Sequence, residues 1–386
     1  MTTVDLADPA LCASGDRFDR WRETRATHPV AWVESVRSGG FWSVTGHRFG
    51  THVLDRDDVF TSTGGMRLDG TPASVRAASG RMLVVSDGAA HRRLRAAHAP
   101  WFQGRALAHA RERLDARLAT HVPELTGGGP VELVGALAER LPTWVVCELL
   151  GVPAEDWDGL ARHAAAAFGE GPGRKAAGAQ IFAYFGELLD FRRRHPGDDL
   201  VSALLESGEL TEEEILLNCD GLVNGGLGTT RHGISGAVLA FARHPGEWDR
   251  LRERPRLISS AIEEVLRWAS PPMHVMRTAT ADVRLGGAAI VAGERVVVWI
   301  PACNRDGSVF AAPDAFVIDR RPNPHLSLGG GPHYCIGAAL ARLELRCLLQ
   351  ALLPRVRRFE LTGAAVRARS NFLHGLERLE VRLVSG

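Results

Sequence analysis

The chain is predicted to be mainly α-helical, with small β-sheets at the edges of one α-dominated domain. Three observations lead there. Helical patterns run through most of its 386 residues. Strand-like runs are short and gather in two places. No internal repeat or low-complexity linker divides the chain.

The helical stretches, in order, are 16–27, 88–99, 104–122, 141–150, 155–168, 174–194, 197–206, 211–243, 246–253, 257–269 and 338–353. The strand-like runs are 30–56, with VAWVES and GFWSVTG, and 282–300, with VRLGGAAIVAGERVVVWI. The C-terminal LERLEVRLV reads as one more strand. Residues 1–14 are expected to form a tail: acidic, broken by a proline, and without the basic and apolar regions of a signal peptide. No stretch reaches the ~18–20 apolar residues of a membrane span. A soluble, cytoplasmic protein is therefore expected. The longest irregular stretch is 301–334. A segment that long without structure usually has a function.

Composition narrows the function. Apolar residues make up 45 %, enough for a sizeable core. The net charge is +1, which argues against a nucleic-acid partner, because phosphate binding needs clustered excess cation. Cys12, Cys147, Cys219, Cys303, Cys335 and Cys347 are scattered with no CxxC pair. A disulfide framework or zinc ribbon is not expected. Five of these cysteines read as inert core residues.

Cys335 differs. It sits in GGGPHYCIG, residues 329–337, just before the helical run AALARLELRCLLQALL. A thiolate is the metal-binding form of cysteine. Unpaired N–H groups at a helix start stabilise an anion. Gly329, Gly330 and Gly331 allow backbone angles and approaches that a Cβ forbids. Gly337 would let a flat ligand lie against the helix start. The pattern fits one thiolate ligand to a large planar cofactor such as haem. It fits equally a glycine-rich turn around a buried cysteine.

HLSLGGGPHYCIGAALARLE closely resembles the haem-binding loop of the cytochrome P450 family. The matching positions are Leu328, Gly331, His333, Cys335 and Gly337. Leu328 departs from the family, which usually has phenylalanine there to shield the sulfur. The resemblance covers about residues 15–385 and implies a single cytochrome P450 domain over 1–386. Its fold would be a triangular helical prism with a long central helix over haem b, and Cys335 would bind the iron.

Other stretches match in family order. Glu-x-x-Arg puts two side chains on one helix face, but Glu34/Arg37, Glu247/Arg250, Glu253/Arg256 and Glu264/Arg267 all satisfy it. Position selects Glu264 and Arg267, with Arg320 of PDAFVIDRRPN implied to complete a structural ion pair. DGAAHRRLRAAHAPWF resembles the family's propionate-binding helix, through His91 and Arg95. Arg277, His325 and His333 match further propionate partners.

The stretch CDGLVNGGLGTTRHGIS places Gly221, Gly225, Gly226 and Gly228 inside the predicted helix 211–243. Each glycine costs a helix interior about 1 kcal/mol against alanine. The cluster fits close approach of a flat ligand, or a packing face that tolerates glycine. It resembles the family's oxygen-binding motif. Gly226 would face the cofactor. Thr229, beside Thr230, would hydrogen-bond dioxygen and help deliver protons. Gly228 departs from the family, which has Asp or Glu there. A missing general acid is typically worth about 10²–10⁴ in rate.

The resemblance implies a monomeric haem-thiolate monooxygenase or oxidase. It would take electrons from a ferredoxin and its reductase and oxidise a mostly apolar small molecule, free or tethered to a carrier protein. The flavour of this helix is similar to members from natural-product pathways. By family position, substrate contacts are expected at Met66, Phe168, Leu222, Gly225, Met273, Val275, Phe372 and Leu373. The alternative is a haem-free or catalytically silent module that docks a carrier protein or partner enzyme.

Overall fold

The longest helix shows how local sequence sets an element. Thr211 Oγ1 accepts from the Glu214 N–H at 3.3 Å, and Glu214 Oε2 accepts from the Thr211 N–H at 2.9 Å. This capping box satisfies two N–H groups that a helix start leaves open. The helix then runs from Glu212 to Arg243, about 48 Å at 1.5 Å per residue. Its apolar side chains enter two cores, Val223 and Leu227 on one side and Ile234, Val238 and Phe241 on the other.

A computed structural model describes residues 5–168 and 173–386. The helices are α1 Pro9–Ala13, α2 Arg17–Thr27, α3 His47–Asp55, α4 Pro72–Ala78, α5 Gly88–His98, α6 Gly104–Thr126, α7 Arg140–Leu150 and α8 Trp157–Phe168. They continue as α9 Gly173–Arg194, α10 Leu200–Ser207, α11 Glu212–Arg243, α12 Pro245–Glu253, α13 Ile258–Ala269, α14 Ile300–Cys303 and α15 Ala338–Leu352. The strands are β1 Val30–Val33, β2 Phe41–Val44, β3 Phe60–Thr61, β4 Val131–Glu132, β5 His274–Ala279 and β6 Val283–Leu285. After them come β7 Ala288–Ile290, β8 Arg295–Trp299, β9 Val356–Leu361, β10 Val366–Arg367, β11 Leu376–Arg378 and β12 Glu380–Ser385.

The fold is mainly α with small sheets. The largest sheet has the order β1-β2-β8-β5-β3, with β2 and β8 parallel and the other pairs antiparallel. A three-stranded sheet, β4-β12-β9, holds the C-terminus. Helix α11 packs on α7, α8, α9 and α13, and α15 packs on α6 and α13.

Two local expectations are corrected. The run 30–56 is strand only in β1 and β2, and its end is helix α3. His47, Gly50, Val53 and Leu54 recur at helical spacing and are buried. A Cβ on Gly50 would stand 2.9 Å from Val298, so the bare glycine lets α3 lie on β8. The tail is the second correction. Within 1–14, Leu6, Ala7 and Cys12 are buried in one cluster with Trp21 and Trp299. The run 301–334 is irregular beyond the end of α14, as expected, and buried Asn304 ties it together. Its amide donates to Ser270 Oγ and Ser327 Oγ, each at 2.8 Å, and its carbonyl oxygen accepts from the Leu326 N–H at 2.8 Å. Polar side chains rather than a repeating pattern order this segment, so periodicity did not reveal it.

Candidate functional site

The loop before α15 is shaped by backbone contact. Gly329 and Gly331 have φ of +75° and +56°. A Cβ on Gly331 would stand 2.7 Å from both Asp55 Cα and Leu54 O. Gly331 therefore serves the packing of this loop against the end of α3. The Cys335 N–H donates to Leu328 O at 2.8 Å and closes the loop, and Leu328 itself is buried. The other five cysteines are buried, whereas Cys335 is exposed. Burial nevertheless raises its pKa, against the Gly337 N–H, which donates to the sulfur, and the charges of Arg95 and Arg342. Both facts hold for a sulfur that protein surrounds and that borders an interior space. Burial thus favours the neutral thiol, and a bound cation would favour the thiolate.

Basic groups from three distant segments meet near this loop. His91 of α5 and His333 of the loop have ring centroids 4.3 Å apart. His91 Nε2 is buried with no hydrogen-bond partner. Burial, then the neighbouring His333 and Arg95, push His91 down to about 4. Arg277 of β5 is buried and donates through Nη1 to Met276 O at 3.0 Å. Burial pushes it down to about 10, with Asp87 and Asp57 opposing. Arg95 donates to Tyr334 O at 2.8 Å and so anchors the residue before Cys335.

Asp87 was not expected, although an aspartate at the start of α5 is a readable N-terminal signal. Its carboxylate accepts from the Ser62 N–H at 2.8 Å and from Thr61 Oγ1, and it pairs with His333 Nε2 at 2.8 Å. Burial pushes its pKa up, but these hydrogen bonds outweigh it and hold it well below the usual range.

His325 is bonded on both ring nitrogens. Its Nδ1 accepts from the Ser327 N–H at 3.3 Å, so Nε2 donates to Glu263 Oε2 at 3.1 Å. Glu263 also accepts from Arg342 at 2.7 and 2.8 Å. A carboxylate one residue before the Glu-x-x-Arg pair therefore captures His325.

Glu264 and Arg267 are both 0 % exposed and pair at 2.8 Å. Arg320 Nε reaches Glu264 Oε2 at 3.0 Å. Glu264 also accepts from the Val317 N–H at 2.8 Å and Asn323 Nδ2 at 3.2 Å. Arg267 donates onward to the carbonyls of Asn304, Pro313 and Ala315 at 2.9, 2.7 and 2.7 Å. One buried carboxylate thus fixes the segment that leads to the cysteine loop.

In α11 the glycines have different surroundings. A Cβ on Gly226 would meet Val146 at 2.7 Å, and one on Gly221 would meet Met82 at 2.7 Å, while Gly225 has open space. Gly226 thus admits the close packing of α7. Thr229 Oγ1 donates to Gly225 O at 2.6 Å, one turn back. Gly228 borders a cavity of about 780 Å³ together with Glu139, Arg231 and His232. Arg231 pairs with Glu139 at 2.9 Å.

A family model described as Cytochrome P450 matches residues 179–373. Linalool 8-monooxygenase of Pseudomonas putida is 33 % identical over 405 residues, covering 100 % of both chains. The crystal structure of P450 OxyD, involved in the biosynthesis of vancomycin-type antibiotics, is 40 % identical with a TM-score of 0.92, covering 100 % of both chains. P450BioI in complex with an acyl carrier protein carrying hexadec-9Z-enoic acid is 31 % identical with a TM-score of 0.89, covering 97 % of this chain and 99 % of the other. The chain belongs to the cytochrome P450 family. It is a cytochrome P450 monooxygenase whose cofactor is haem b.

The residues of this P450 fit that cofactor. Cys335 offers an accessible sulfur with a backbone N–H directed at it. The unpartnered His91 Nε2 and the buried Arg277 offer donors to an anion such as a carboxylate.

The apolar positions of this P450 are not all free to meet a substrate. Met273 is buried in the cluster of Trp21 and Trp299. Leu222 and Val275 pack against cores. Phe372 is buried, carries the Arg67 guanidinium 4.3 Å over its ring and meets the His274 ring. Leu373 is buried and borders the cavity at Gly228. Met66 is half-buried, and its carbonyl accepts from the Met276 N–H at 3.0 Å. Gly225 faces open space, as described. Phe168 ends α8, and its side chain lies outside the described residues.

Two polar residues were missed. Asn224 Nδ2 donates to Asp220 Oδ1 at 2.8 Å, and Asn224 Oδ1 is buried without a partner. Burial pushes Asp220 up to about 6, despite that bond. Their spacing to Gly228 is four and eight residues, one stripe of α11. No helix of the described residues is long and apolar enough to cross a membrane.

Proposed function

We propose that this P450 oxidises a mostly apolar small molecule in a secondary-metabolite pathway, with Cys335 as the iron ligand. The observation that carries the assignment is the cysteine loop itself: an accessible sulfur, a Gly337 N–H directed at it, and α15 beginning three residues later. Haem, when bound there, supplies the reductive activation of dioxygen.

The chain's own residues do the rest. His91, Arg277 and His333 hold the two carboxylates of haem, and Arg95 keeps the loop in place through Tyr334. Thr229 gives up its bond to Gly225 O and turns its hydroxyl into the open space beside Gly225. Gly228 brings no carboxylate to pass a proton to it. Water in the cavity lined by Gly228, Glu139, Arg231 and His232 takes that part. Asn224, backed by Asp220, offers an unmatched carbonyl oxygen to a polar group of the substrate. Such a buried acceptor rejects substrates that leave it unpaired.

Two relatives support the pathway and the delivery. The protein of the OxyD structure acts in antibiotic biosynthesis, and P450BioI was solved with its acyl carrier protein. We assign a carrier-tethered substrate on that basis, with a ferredoxin and its reductase as electron source and a monomeric protein. A reduced-CO difference spectrum tests the ligand: the purified protein gives the thiolate-type Soret band, and Cys335→Ser loses it. Binding spectra with free and carrier-loaded scaffolds test the delivery. Equal response to both forms would overturn it. Only Gly228 favours a second reading, a catalytically silent docking module, and substrate oxidation with consumption of dioxygen removes it.

A further inference from the structure

A second cavity, of about 310 Å³, lies between the start of α2, the C-terminal half of α11 and the strands β10 and β11. That volume is at the small end of the roughly 300–1,000 Å³ range of ligand pockets. Its chemistry is cationic. Arg22, Arg243, Arg305 and Arg367 line it, with His232 and His374.

The carboxylates do not balance these charges. Among the described residues, Asp19 and Asp314 are the acids that line the cavity. Arg22 engages both, at 2.6 and 3.0 Å. Arg305 is left 3.8 Å from Asp314, itself 53 % exposed at the mouth. Arg243 and Arg367 make no ion pair or side-chain hydrogen bond to any described residue.

Arg17 stands directly behind. It is buried, donates through Nη2 to His374 Nε2 at 3.0 Å, and its Nε has no partner. His374 Nδ1 donates to Ala269 O at 2.6 Å, so this ring is neutral and adds no counter-charge.

Arg305 supplies the decisive observation. It is 6 % exposed and lines the cavity. Its Nη2 donates to Trp268 O at 3.0 Å, and its carbon lies 4.0 Å over the Phe18 ring. The planar group is thus held by stacking and one bond. Its Nη1 is buried with no partner. Burial, then the charges of neighbouring arginines, hold Arg17 at about 9, and Arg305 is held at about 9 by burial first and Arg267 next. Buried charges of one sign are costly unless something of the other sign joins them. Guanidinium groups present paired donors that match the oxygens of a phosphate.

We propose that this cavity is a binding site for a phosphate group, held by Arg305, Arg367 and Arg243. Its three arginines take no part in the proposed oxidation; His232 borders both cavities. The phosphate is either the free ion or a phosphomonoester of a small metabolite.

The test uses the purified holoenzyme at constant ionic strength, with inorganic phosphate or glycerol phosphate replacing chloride. The thermal midpoint rises with the logarithm of ligand concentration, and calorimetry gives one site. Arg367→Gln and Arg243→Gln remove guanidinium groups that bond to no described residue, so both variants fold. Each raises the phosphate dissociation constant about tenfold, the usual size of a charge-assisted hydrogen bond. Tighter binding of inorganic phosphate assigns the free ion, and tighter binding of glycerol phosphate assigns a phosphomonoester. The proposal is overturned if neither probe moves the midpoint beyond the chloride control, or if both variants bind as the wild type does.

Discussion

Glu264→Gln is the substitution whose effect the structure sets most clearly. The change keeps shape and volume but removes one negative charge from a site that is 0 % exposed. Arg267 Nε and Nη2 and Arg320 Nε then face a neutral amide, whose NH₂ cannot accept. Removing one partner of a buried pair costs about 3–5 kcal/mol, because the other charge stays buried. Unfolding entropy near 2.1 cal/mol/K per residue gives roughly 0.8 kcal/mol/K for a chain of this length. The thermal midpoint should fall by about 4–6 °C. Calorimetry on wild type and variant measures it. Arg22→Gln is the control, since its partners are 65 % and 53 % exposed and such pairs are worth about 0–1 kcal/mol. The haem-loop role adds a second readout: the variant should release haem faster than the control. A loss below about 1 kcal/mol with unchanged haem release would refute the claim that this carboxylate organises the loop.

Three further outcomes are expected. Gly331→Ala combines a φ of +56° with a 2.7 Å approach to the α3 backbone, and should cost about 2–4 kcal/mol in urea unfolding. Gly337→Ala, with nothing nearer than 3.9 Å, should stay within about 0.5 kcal/mol of wild type; equal losses at the two positions would contradict the packing argument. Glu263 is pushed up by burial, but hydrogen bonds from Arg342 and His325 bring it down to about 2. Its depressed value means that its stabilisation is complete above about pH 5 and is lost as pH falls toward 2. Glu263→Gln should therefore flatten the acid limb of stability between those values, and an unchanged limb sinks the assignment. Gly228→Glu adds a carboxylate beside Arg231 and should raise product formed per NADPH; an unchanged ratio removes the proton-delivery role of this position.

Much of the site was legible because its parts are local. The run from Leu328 to Gly337 joins a tight loop to a helix start, and both are short-range features. Glu264 and Arg267 share a helix face by spacing alone, and Thr211 marks the start of α11 by its capping box. Other parts were hidden for physical reasons. The partner of His325, Glu263, lies 62 residues away, so order along the chain did not show it. That Gly331 and Gly226 admit α3 and α7 depends on which elements pack there, and no spacing shows it. Helix α3 was taken for strand because its apolar residues follow two true strands without a break.

The amino-acid order by itself determined most of the long helices, where one cysteine stands in a glycine-rich loop before a helix, and that no acid occupies position 228. These follow from spacing, caps and residue chemistry within a few turns of chain. Tertiary structure alone decided which charges meet. It brought His91, Arg277 and His333 together, gave Arg320 to Glu264 and His325 to Glu263, and left the arginines around the second cavity without enough carboxylates. Such pairings depend on which groups lose water together, and that is set by packing between residues far apart in the chain.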